Sequence, residues 1–278
     1  MTLIMLAKKF KITAVKFSKF IFSKFGIGIT RYTNLVKLQN NYLQNKISDR
    51  SAQDLKFIRA LGPANYEPVI SLLHKSRSQL RQDLFVLSEC EFKKHKGYFI
   101  EFGATNGIDF SNTYLLETLF SWTGILVEPA RVWQKGLKAN RPNSIIETLC
   151  VWKDSNSSLT FNETDNPELS TIDSFSNKDL HSYDRTVGKR YPVQTISLND
   201  LLVKYQAPKH IDYLSIDTEG SEYEILKAFN FKEFNIGIIT VEHNYNPQRE
   251  LIFALLTSYG YIRKYEDISA FDDWYIKV

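Results

Sequence analysis

Three segments of the sequence combine residue types and spacings that could do chemistry. In the first, an acid and two glycines follow a short apolar run, in the order Glu101-Phe102-Gly103-Ala104-Thr105-Asn106-Gly107. Glycines let the backbone turn tightly and approach a ligand closely. The segment lacks the third glycine of the Gly-x-Gly-x-x-Gly motif that binds a dinucleotide. Taken alone, it fits a nucleotide-binding turn or a tight turn with no ligand.

The second segment is Glu128-Pro129, which lies 21 residues beyond Gly107. At roughly 20 residues beyond a glycine-rich turn, an acidic residue accepts hydrogen bonds from the ribose hydroxyls of an adenosine cofactor. The alternative is a surface acid ahead of a helix that starts at proline. The spacing of the two segments favours an adenosine-binding site.

The third segment is made of two stretches, each following a further apolar run, and together they carry several acids and a histidine. Asp217-Thr218-Glu219-Gly220-Ser221-Glu222 follows the run at residues 213–216, and Glu242-His243-Asn244 follows the run at 236–241. Carboxylates and imidazole at such positions can act as general bases or bind a metal. Two plainer interpretations stay open. Ser221 with nearby acids is typical of a helix N-cap, and a single histidine is often structural.

The elements that must position these residues follow from the alternation of apolar runs and helical stretches after residue 96. Short continuous apolar runs joined by helices predict a parallel sheet covered on both faces. The runs fall at residues 98–102, 124–127, 145–151, 213–216 and 236–241, and the helices at 112–120, 131–140, 198–205, 222–229 and 249–259. Runs at 261–265 and 274–278 predict a closing hairpin-like pair. Ligands bind beyond the carboxyl ends of such strands, which is where all three segments lie.

The N-terminal part of the chain differs in charge and pattern. Residues 1–50 hold ten Lys or Arg and one acid, a net +9; the rest hold 25 basic and 30 acidic residues, a net −5, and the two sum to +4. Residues 3–25 predict an amphipathic helix with apolar residues spaced three and four apart. Such a helix could bind an anionic membrane surface or a partner protein, pack on the protein's own body, or stay disordered. Residues 52–92 predict further helices, interrupted at Gly62-Pro63.

Composition excludes several classes of protein. Cys90 and Cys150 show no disulfide or zinc-ligand pattern, and the acidic main part argues against a nucleic-acid partner. Lysines interrupt each apolar run near the N-terminus, so neither a signal peptide nor a transmembrane helix is predicted. We expect a cytoplasmic protein, with peripheral contact to the inner face of a membrane or to a partner through residues 3–25. The expected domains are a basic amphipathic extension at 1–50, a helical lead-in at 51–96 and an α/β domain at 97–278.

Together the motifs resemble the FkbM-type family of S-adenosylmethionine-dependent methyltransferases. The similar segments are Phe99-Ile100-Glu101-Phe102-Gly103-Ala104, Ser111-Asn112-Thr113-Tyr114-Leu115-Leu116-Glu117, Gly124-Ile125-Leu126-Val127-Glu128-Pro129, Ile216-Asp217-Thr218-Glu219-Gly220 and Val241-Glu242-His243-Asn244. Ser78-Gln79 and Gln82-Asp83-Leu84-Phe85 are also similar to the segment before the first strand in this family, so the resemblance covers roughly residues 78–278. It implies an α/β class I methyltransferase (Rossmann-like) fold: a seven-stranded, mostly parallel sheet with helices on both faces and an antiparallel last strand. Here an N-terminal helical extension precedes it. The implied activity is O-methylation of a hydroxyl on a glycan, glycolipid or similar acceptor.

The resemblance also implies which residues bind the cofactor, S-adenosyl-L-methionine. Gly103 and its neighbours would form the cofactor loop, Glu101 would reach the methionine amino group, directly or through water, and Glu128 would hold the ribose. The full set is Glu101, Gly103, Ala104, Asn106, Gly107, Asn112, Glu128 and Pro129. Thr105-Asn106 departs from the family pattern, which often has an acid at position 106.

Catalytic residues follow from the chemistry that this activity would require. Methyl transfer is an in-line displacement, so positioning supplies much of the acceleration, and a base must remove the hydroxyl proton. We predict Asp217, Glu219 and His243 as catalytic, with His243 or Asp217 accepting the proton and Glu219 orienting the acceptor. A divalent ion held by Asp217, Glu242 and His243 is the minor alternative. The acceptor pocket is expected in a loop at residues 162–190 and in the helices before residue 98.

Two other functions fit the same sequence. An enzyme that uses an NAD-type nucleotide on a Rossmann-like fold would need the same glycine turn and the same acid. A non-catalytic module would keep the fold and dock on a membrane or an assembly through its basic helix.

Overall fold

The computed structural model describes residues 49–93, 96–178 and 181–278. The chain divides into two compact units, Met1–Asp54 and Leu55–Val278, and all strands of the described residues belong to the second. The helix predicted at residues 3–25, and nearly all of the 1–50 extension, lie outside the described residues. Their contact with a membrane or a partner stays a prediction. Within the described ranges, no helix has the length and apolar character that a bilayer crossing requires.

From residue 49 on, the described part of the chain has three α-helices before the first strand: α1 (residues 49–61), α2 (Tyr66–Leu72) and α3 (Gln82–Glu89). Gly62, with φ of 79°, and Pro63 separate α1 from α2 as predicted, because glycine adopts positive φ readily and proline is favoured at a helix start. Helix α3 is buried along most of its length. Its Phe85 stacks on Trp274 with ring centroids 4.8 Å apart. The end of the lead-in therefore packs directly on the α/β domain.

A seven-stranded sheet forms the centre of the domain, in the order β10-β11-β9-β8-β1-β2-β3. Its strands are β1 (Tyr98–Phe102), β2 (Thr123–Val127), β3 (Ile145–Glu147), β8 (His210–Ile216), β9 (Asn235–Glu242), β10 (Tyr261–Lys264) and β11 (Asp272–Lys277). Strand β11 runs antiparallel to both of its neighbours, and the other adjacent pairs are parallel. The sheet is therefore mixed, and the predicted pairing of the last two runs is confirmed.

Helices cover both faces of this sheet, as the alternation of buried residues along β1 shows. Ile100 and Phe102 belong to one apolar core and Phe99 to the other. The first core takes residues from α6 (Leu198–Lys204), α7 (Glu222–Ala228) and α8 (Gln248–Ser258), and the second from α3, α4 (Tyr114–Phe120) and α5 (Arg131–Asn140). Strands buried on both faces have continuous apolar runs, which is why these elements were predictable.

A second sheet has the order β4-β7-β5-β6, with strands β4 (Cys150–Trp152), β5 (Ser158–Thr164), β6 (Thr171–Ile172) and β7 (Gly188–Ser197). It corrects two expectations. The run at 145–151 reads as one strand, but the Glu147 carboxylate accepts hydrogen bonds from the N–H groups of Thr148 and Leu149 and divides it into β3 and β4. The segment 162–190 reads as a loop, but it contains the end of β5, all of β6 and the start of β7.

Candidate functional site

A cavity of about 400 Å³ lies beyond the carboxyl ends of β1, β2, β8 and β9. This is where ligands bind in open α/β sheets, and the volume is that of a small-molecule site. The lead-in contributes Gln79 and Gln82 to the wall, and the second sheet contributes Phe161 and Ile172. The cavity is therefore enclosed by the edge of the seven-stranded sheet, by the lead-in and by the second sheet.

The predicted glycine turn opens onto this cavity. Gly103 has φ of 74°, and a Cβ added there would lie 2.1 Å from the carbonyl oxygen of Asp217. Both the backbone angle and the space exclude a side chain at this position. The turn is thereby held tightly against the neighbouring strand end that carries Asp217.

Glu128 lies in the same cavity, at the end of β2, together with Pro129. Its two carboxylate oxygens accept hydrogen bonds from the N–H groups of Thr105 and Ala130, each at 2.8 Å. Burial raises the pKa of Glu128 to about 7, against the lowering effect of these two N–H donors. Thr105 belongs to the glycine turn, so a hydrogen bond links the two parts of the predicted nucleotide site, the turn and Glu128.

Glu101, at the end of β1, is a second buried acid on this side of the cavity. It accepts from the hydroxyls of Ser111 at 2.9 Å and Thr113 at 2.5 Å, and from the N–H of Asn112 at 2.6 Å. Burial raises the pKa of Glu101, and the nearby Arg141 guanidinium acts in the opposite direction. Asn112 also lines the cavity; its amide donates to the Ser215 hydroxyl, and its Oδ1 is buried with no partner.

Three residues of the predicted cofactor set belong to the turn but do not line this cavity: Ala104, Asn106 and Gly107. Ala104 packs in an apolar core. Asn106 closes the turn, because its Oδ1 accepts from the N–H groups of Ile108 and Asp109, both at 2.9 Å. A Cβ at Gly107 would lie 2.7 Å from the Arg141 side chain. These residues shape the loop, and the cavity is lined by Gly103 and Thr105.

Asp217, Glu242 and Asp272 form a row across three neighbouring strand ends, called here the acid row. Ile216 pairs with Val241, so Asp217 and Glu242 leave the sheet side by side, and Glu242 pairs with Asp272. The side chains of Asp217 and Glu242 are hydrogen-bonded to each other. Burial is the main cause that raises the pKa of all three, to about 7 for Asp217 and Asp272. The charge of Asp217 also raises the pKa of Glu242 and Asp272, and the charges of Glu222 and Glu101 raise that of Asp217. The row therefore retains protons near neutral pH.

The lead-in closes the far end of this row. Gln82 is buried and donates from Nε2 to Asp272 Oδ2 at 2.7 Å, while its Oε1 accepts from the N–H of Leu80 at 2.9 Å. The two residues are 190 positions apart, so neither spacing nor periodicity could pair them. The available signal was the similarity of Gln82-Asp83-Leu84-Phe85 to the family segment before the first strand.

Glu219 also lines the cavity, and it is held there by a buried ion pair. Arg185 Nη2 lies 2.7 Å from Glu219 Oε2, and Asn244 donates to the same oxygen at 3.3 Å. The Arg185 pairing could not be read from the sequence, because the arginine comes from the segment between β6 and β7. One carboxylate oxygen each from Asp217, Glu219 and Glu242 lie within 4.8 Å of one another. The acids that could hold a cation are thus a different set from the predicted Asp217, Glu242 and His243.

The structure does not bring His243 into the large cavity. It lines a separate space of about 10 Å³ behind the strand end. Its Nδ1 accepts from the N–H of Tyr245 at 3.0 Å, and its Nε2 lies 3.8 Å from Asp273 Oδ1. Burial lowers the pKa of His243. Asp217 and Glu219 therefore meet at the cavity, and His243 stands apart from them.

The architecture is that of an α/β domain with a cavity at the carboxyl edge of its sheet, where a glycine turn and an acid meet and where ligands bind in such folds. Within that class, the family model of the methyltransferase FkbM domain matches residues 101–265. The match covers more than half of the 278 residues, and the chain belongs to this family. A search of curated proteins found no match.

Several solved structures are similar to the chain at low sequence identity. An FkbM methyltransferase from Methylobacillus flagellatus KT is 10% identical, with a TM-score of 0.41 over 84% of this chain and 60% of that one. M. capricolum TrmK in complex with S-adenosyl-homocysteine is 14% identical, with a TM-score of 0.36 over 72% and 68% of the two chains. A precorrin-6y C5,15-methyltransferase from Geobacter metallireducens GS-15 is 11% identical, with a TM-score of 0.35 over 70% and 85%. The chain thus spans 60% of the length of the M. flagellatus protein.

Proposed function

We propose that the protein transfers a methyl group from S-adenosylmethionine to a hydroxyl of a glycan, glycolipid or similar acceptor. The observation that carries the proposal is that Glu101, Gly103 and Glu128 open onto one cavity at the ends of two adjacent parallel strands. A bound adenosyl group needs this pairing of a close backbone approach with a neighbouring acid. Family membership supports the same cofactor.

The residues of the cavity fit such a cofactor. Each oxygen of Glu128 accepts one backbone N–H and keeps a further lone pair, so both can also accept from ribose hydroxyls. Val127, Cys150 and Phe161 offer apolar surface on this side of the cavity. The unpartnered Oδ1 of Asn112 offers an acceptor for the polar end of a ligand.

Bound S-adenosylmethionine would supply an electrophilic methyl group on a sulfonium. In the proposed reaction, Asp217 accepts the proton of the acceptor hydroxyl, and Glu219, fixed by Arg185, orients the acceptor. A general base works best when its pKa is near the working pH, and burial raises the pKa of Asp217 to about 7. His243 is a poor candidate for the base because it lies outside the cavity.

The charge of the cavity wall bears on the class of acceptor. Among the described residues the wall contains neither Lys nor Arg, and its acids are Glu101, Asp109, Glu128, Glu168, Asp217, Glu219, Glu242 and Asp272. An anionic acceptor would meet those acids that are ionised, with no Lys or Arg on the described wall to pair with, which costs free energy in a low-dielectric site. The wall therefore favours a neutral or amine-bearing hydroxyl compound over a phosphorylated one.

The same geometry argues against an NAD-type cofactor. In a dinucleotide site the pyrophosphate binds the N-terminus of the helix that follows the glycine turn. Here that position is taken by the Glu101 carboxylate, which accepts from the N–H of Asn112 and the hydroxyl of Thr113 just before α4. A pyrophosphate would meet this carboxylate at close range.

Ligand-dependent melting temperatures test the cofactor assignment. We expect S-adenosylmethionine and S-adenosylhomocysteine to raise the melting temperature at millimolar concentration, and NAD to leave it unchanged, since a ligand that binds only the folded state stabilises it. Stabilisation by NAD alone would overturn the proposal. Stabilisation by none of the three, with liposome binding that is lost when residues 1–25 are deleted, would favour the non-catalytic docking module.

Acceptor chemistry is tested separately with matched sugars. The full chain and methyl-labelled S-adenosylmethionine are incubated with methyl glycosides of glucose, glucosamine and glucuronic acid. We expect any labelled product to come from the first two, and its label to resist alkali, because a methyl ether is stable where a methyl ester is not. Methylation of the glucuronide carboxyl would contradict transfer to a hydroxyl.

A further inference from the structure

Arg141 is a fully buried arginine that does not line the cavity. It follows α5 and reaches under the glycine turn, where its Nη1 donates to the carbonyl oxygen of Gly107 at 3.1 Å. Its Nε donates to Glu117 Oε2 at 2.6 Å. Nη2 also lies 2.6 Å from the same Glu117 oxygen, in an ion pair, and the other hydrogen bonds of the guanidinium are with the segment that holds Glu101.

Two hydroxyls connect Arg141 to Glu101. Arg141 Nη1 donates to the Ser111 hydroxyl at 3.2 Å, and Nη2 donates to the Thr113 hydroxyl at 3.1 Å. Both hydroxyls in turn donate to Glu101 Oε2. A hydroxyl has one proton, and an arginine N–H already occupies a lone pair on each oxygen. Both protons are therefore directed at the carboxylate, an arrangement that an ionised Glu101 satisfies best.

The other groups around Glu101 do not supply a positive charge. Its ladder neighbours, Leu126 on β2 and Ser215 on β8, are uncharged. From β8, Tyr213 and Asp217 also face it, and Asp217 opposes its ionisation. The Asn112 N–H is the remaining donor to the carboxylate. Of the groups that the structure brings to Glu101 from these elements, Arg141 is the cation.

We propose that Arg141 is a positioning residue that, through Ser111 and Thr113, keeps Glu101 ready to accept the protonated amine of the cofactor's amino-acid part. The inference rests on the proposed function, in which Glu101 binds that amine. Without Arg141, the raising effect of burial on the pKa of Glu101 is opposed only by the hydrogen bonds from Ser111, Asn112 and Thr113, and a protonated Glu101 has no negative charge to pair with an ammonium group. The contact would then weaken as the pH falls.

Two ligands isolate this contact. S-adenosylhomocysteine carries the amino-acid part, whereas 5′-methylthioadenosine has the same nucleoside and sulfur without it. The ratio of their dissociation constants therefore reports the amino-acid end and cancels the contribution of Glu128, which itself titrates at about pH 7. We would measure both by calorimetry with the full chain, between about pH 6.5 and pH 8.5, for wild type and Arg141→Met. A tenfold change in the ratio corresponds to about one pKa unit.

We expect the wild-type ratio to change by less than about threefold over this range. In Arg141→Met the preference for S-adenosylhomocysteine should fall on the order of tenfold at the acid end and recover toward the alkaline end. Arg141→Lys, which keeps the charge, should restore most of the wild-type profile. A purely structural role for Arg141 would lower both affinities at every pH and leave the ratio flat, and that result would overturn the inference.

Controls distinguish a failure of this inference from a general effect of losing an arginine, from misfolding and from a failure of the proposed function. Arg249→Met removes another arginine that is paired with a buried acid, Asp273, away from the cavity, and should leave the ratio unchanged. If Arg141→Met does not fold, Thr113→Val removes one of the two relaying hydroxyls and should give the same shift at a smaller size; a flat ratio there also counts against the inference. If the wild type binds neither ligand, the proposed function fails instead.

Discussion

The two sides of the cavity hold their carboxylates in different ways. On the cofactor edge, which consists of Glu101, Gly103 and Glu128, Glu128 accepts from two backbone N–H groups, and Glu101 accepts from one backbone N–H and two hydroxyls. All of these donors lie within 23 residues of their acceptor in sequence. In the acid row, Asp217 and Glu242 bond to each other, and Asp272 depends on Gln82 of the lead-in. The first arrangement is complete without a ligand. The second leaves acids facing acids.

This difference indicates a division of labour. A site whose donors are fixed by the backbone is preorganised, and binding there costs little reordering. A row of acids that share protons can instead take up or release one near neutral pH. The cofactor edge is suited to holding a ligand, and the acid row to moving a proton.

The largest expected effect is on the rate of methyl transfer, and it comes from removing an acid of the acid row. Asp217→Asn keeps the size of the side chain but removes the proposed base, so methyl transfer should fall on the order of 10²- to 10⁴-fold. The affinity for S-adenosylhomocysteine should stay within about threefold of wild type, since the cofactor edge is untouched. Single-turnover rates and calorimetry measure the two quantities, with Asp267→Asn, an exposed acid, as the control. Equal losses of rate and affinity would contradict the proposal that one side of the cavity binds the ligand and the other transfers the proton.

On the other side of the comparison, Glu128→Ala should act on binding. Loss of even one charge-assisted hydrogen bond to the ribose should weaken S-adenosylhomocysteine by roughly tenfold to a hundredfold, since one such bond is worth about 1.5–3 kcal/mol. Calorimetry near pH 8, where Glu128 is ionised, gives the clearest contrast because the pKa of this acid is about 7. An unchanged affinity in a variant with native circular dichroism would contradict the ribose contact.

The acid row should also reduce stability as the pH rises. Burial raises the pKa of Asp272 from 3.8 to about 7, so the folded state binds more protons than the unfolded state between these values. The contribution of Asp272 to the free energy of unfolding is therefore full below about pH 4 and lost by about pH 7. Asp272→Asn keeps an acceptor oxygen for Gln82 without the charge, and should stabilise the protein near pH 8 by on the order of 1–3 kcal/mol.

Urea unfolding from about pH 5 to pH 8 measures this effect, and the advantage of Asp272→Asn should grow with pH across that window. Asp165→Asn, at an exposed position, should show no such trend. A constant difference between Asp272→Asn and wild type would mean that Asp272 is not protonated by burial.

The smallest effect is expected at His243, on neither side of the cavity. His243→Asn keeps an acceptor for the Tyr245 N–H, so the rate of methyl transfer should change by less than about twofold, as for a residue with no role in the transition state. The test is the same single-turnover assay. A loss as large as that of Asp217→Asn would restore His243 as the base.

The sequence predicts the placement of Glu101, Gly103 and Glu128 well because its signals are local. Strand β1 is a continuous apolar run, and Glu101, Gly103 and Glu128 lie directly at strand ends, so topology alone brings them together. Antiparallel pairing of the last two runs follows from the same reading. Prediction of loop residues is weaker, since Asn106 and Gly107 share the segment of Gly103 but turn away from the cavity.

The acid row and its supports could not be predicted in the same way. Gln82 and Asp272 meet across 190 residues, and Arg185 reaches Glu219 across 34. His243 sits at the expected strand end, but its side chain points to a separate space. Successive side chains along a strand point to opposite faces of the sheet. Beyond the end of β9 the sequence did not show which of the two faces the cavity lies on.

The bond between Gln82 and Asp272 has a consequence for any shortened version of the chain. Both residues lie outside residues 101–265, the range that the family model matches. Trimming the chain to that range would remove both partners and open the far end of the acid row.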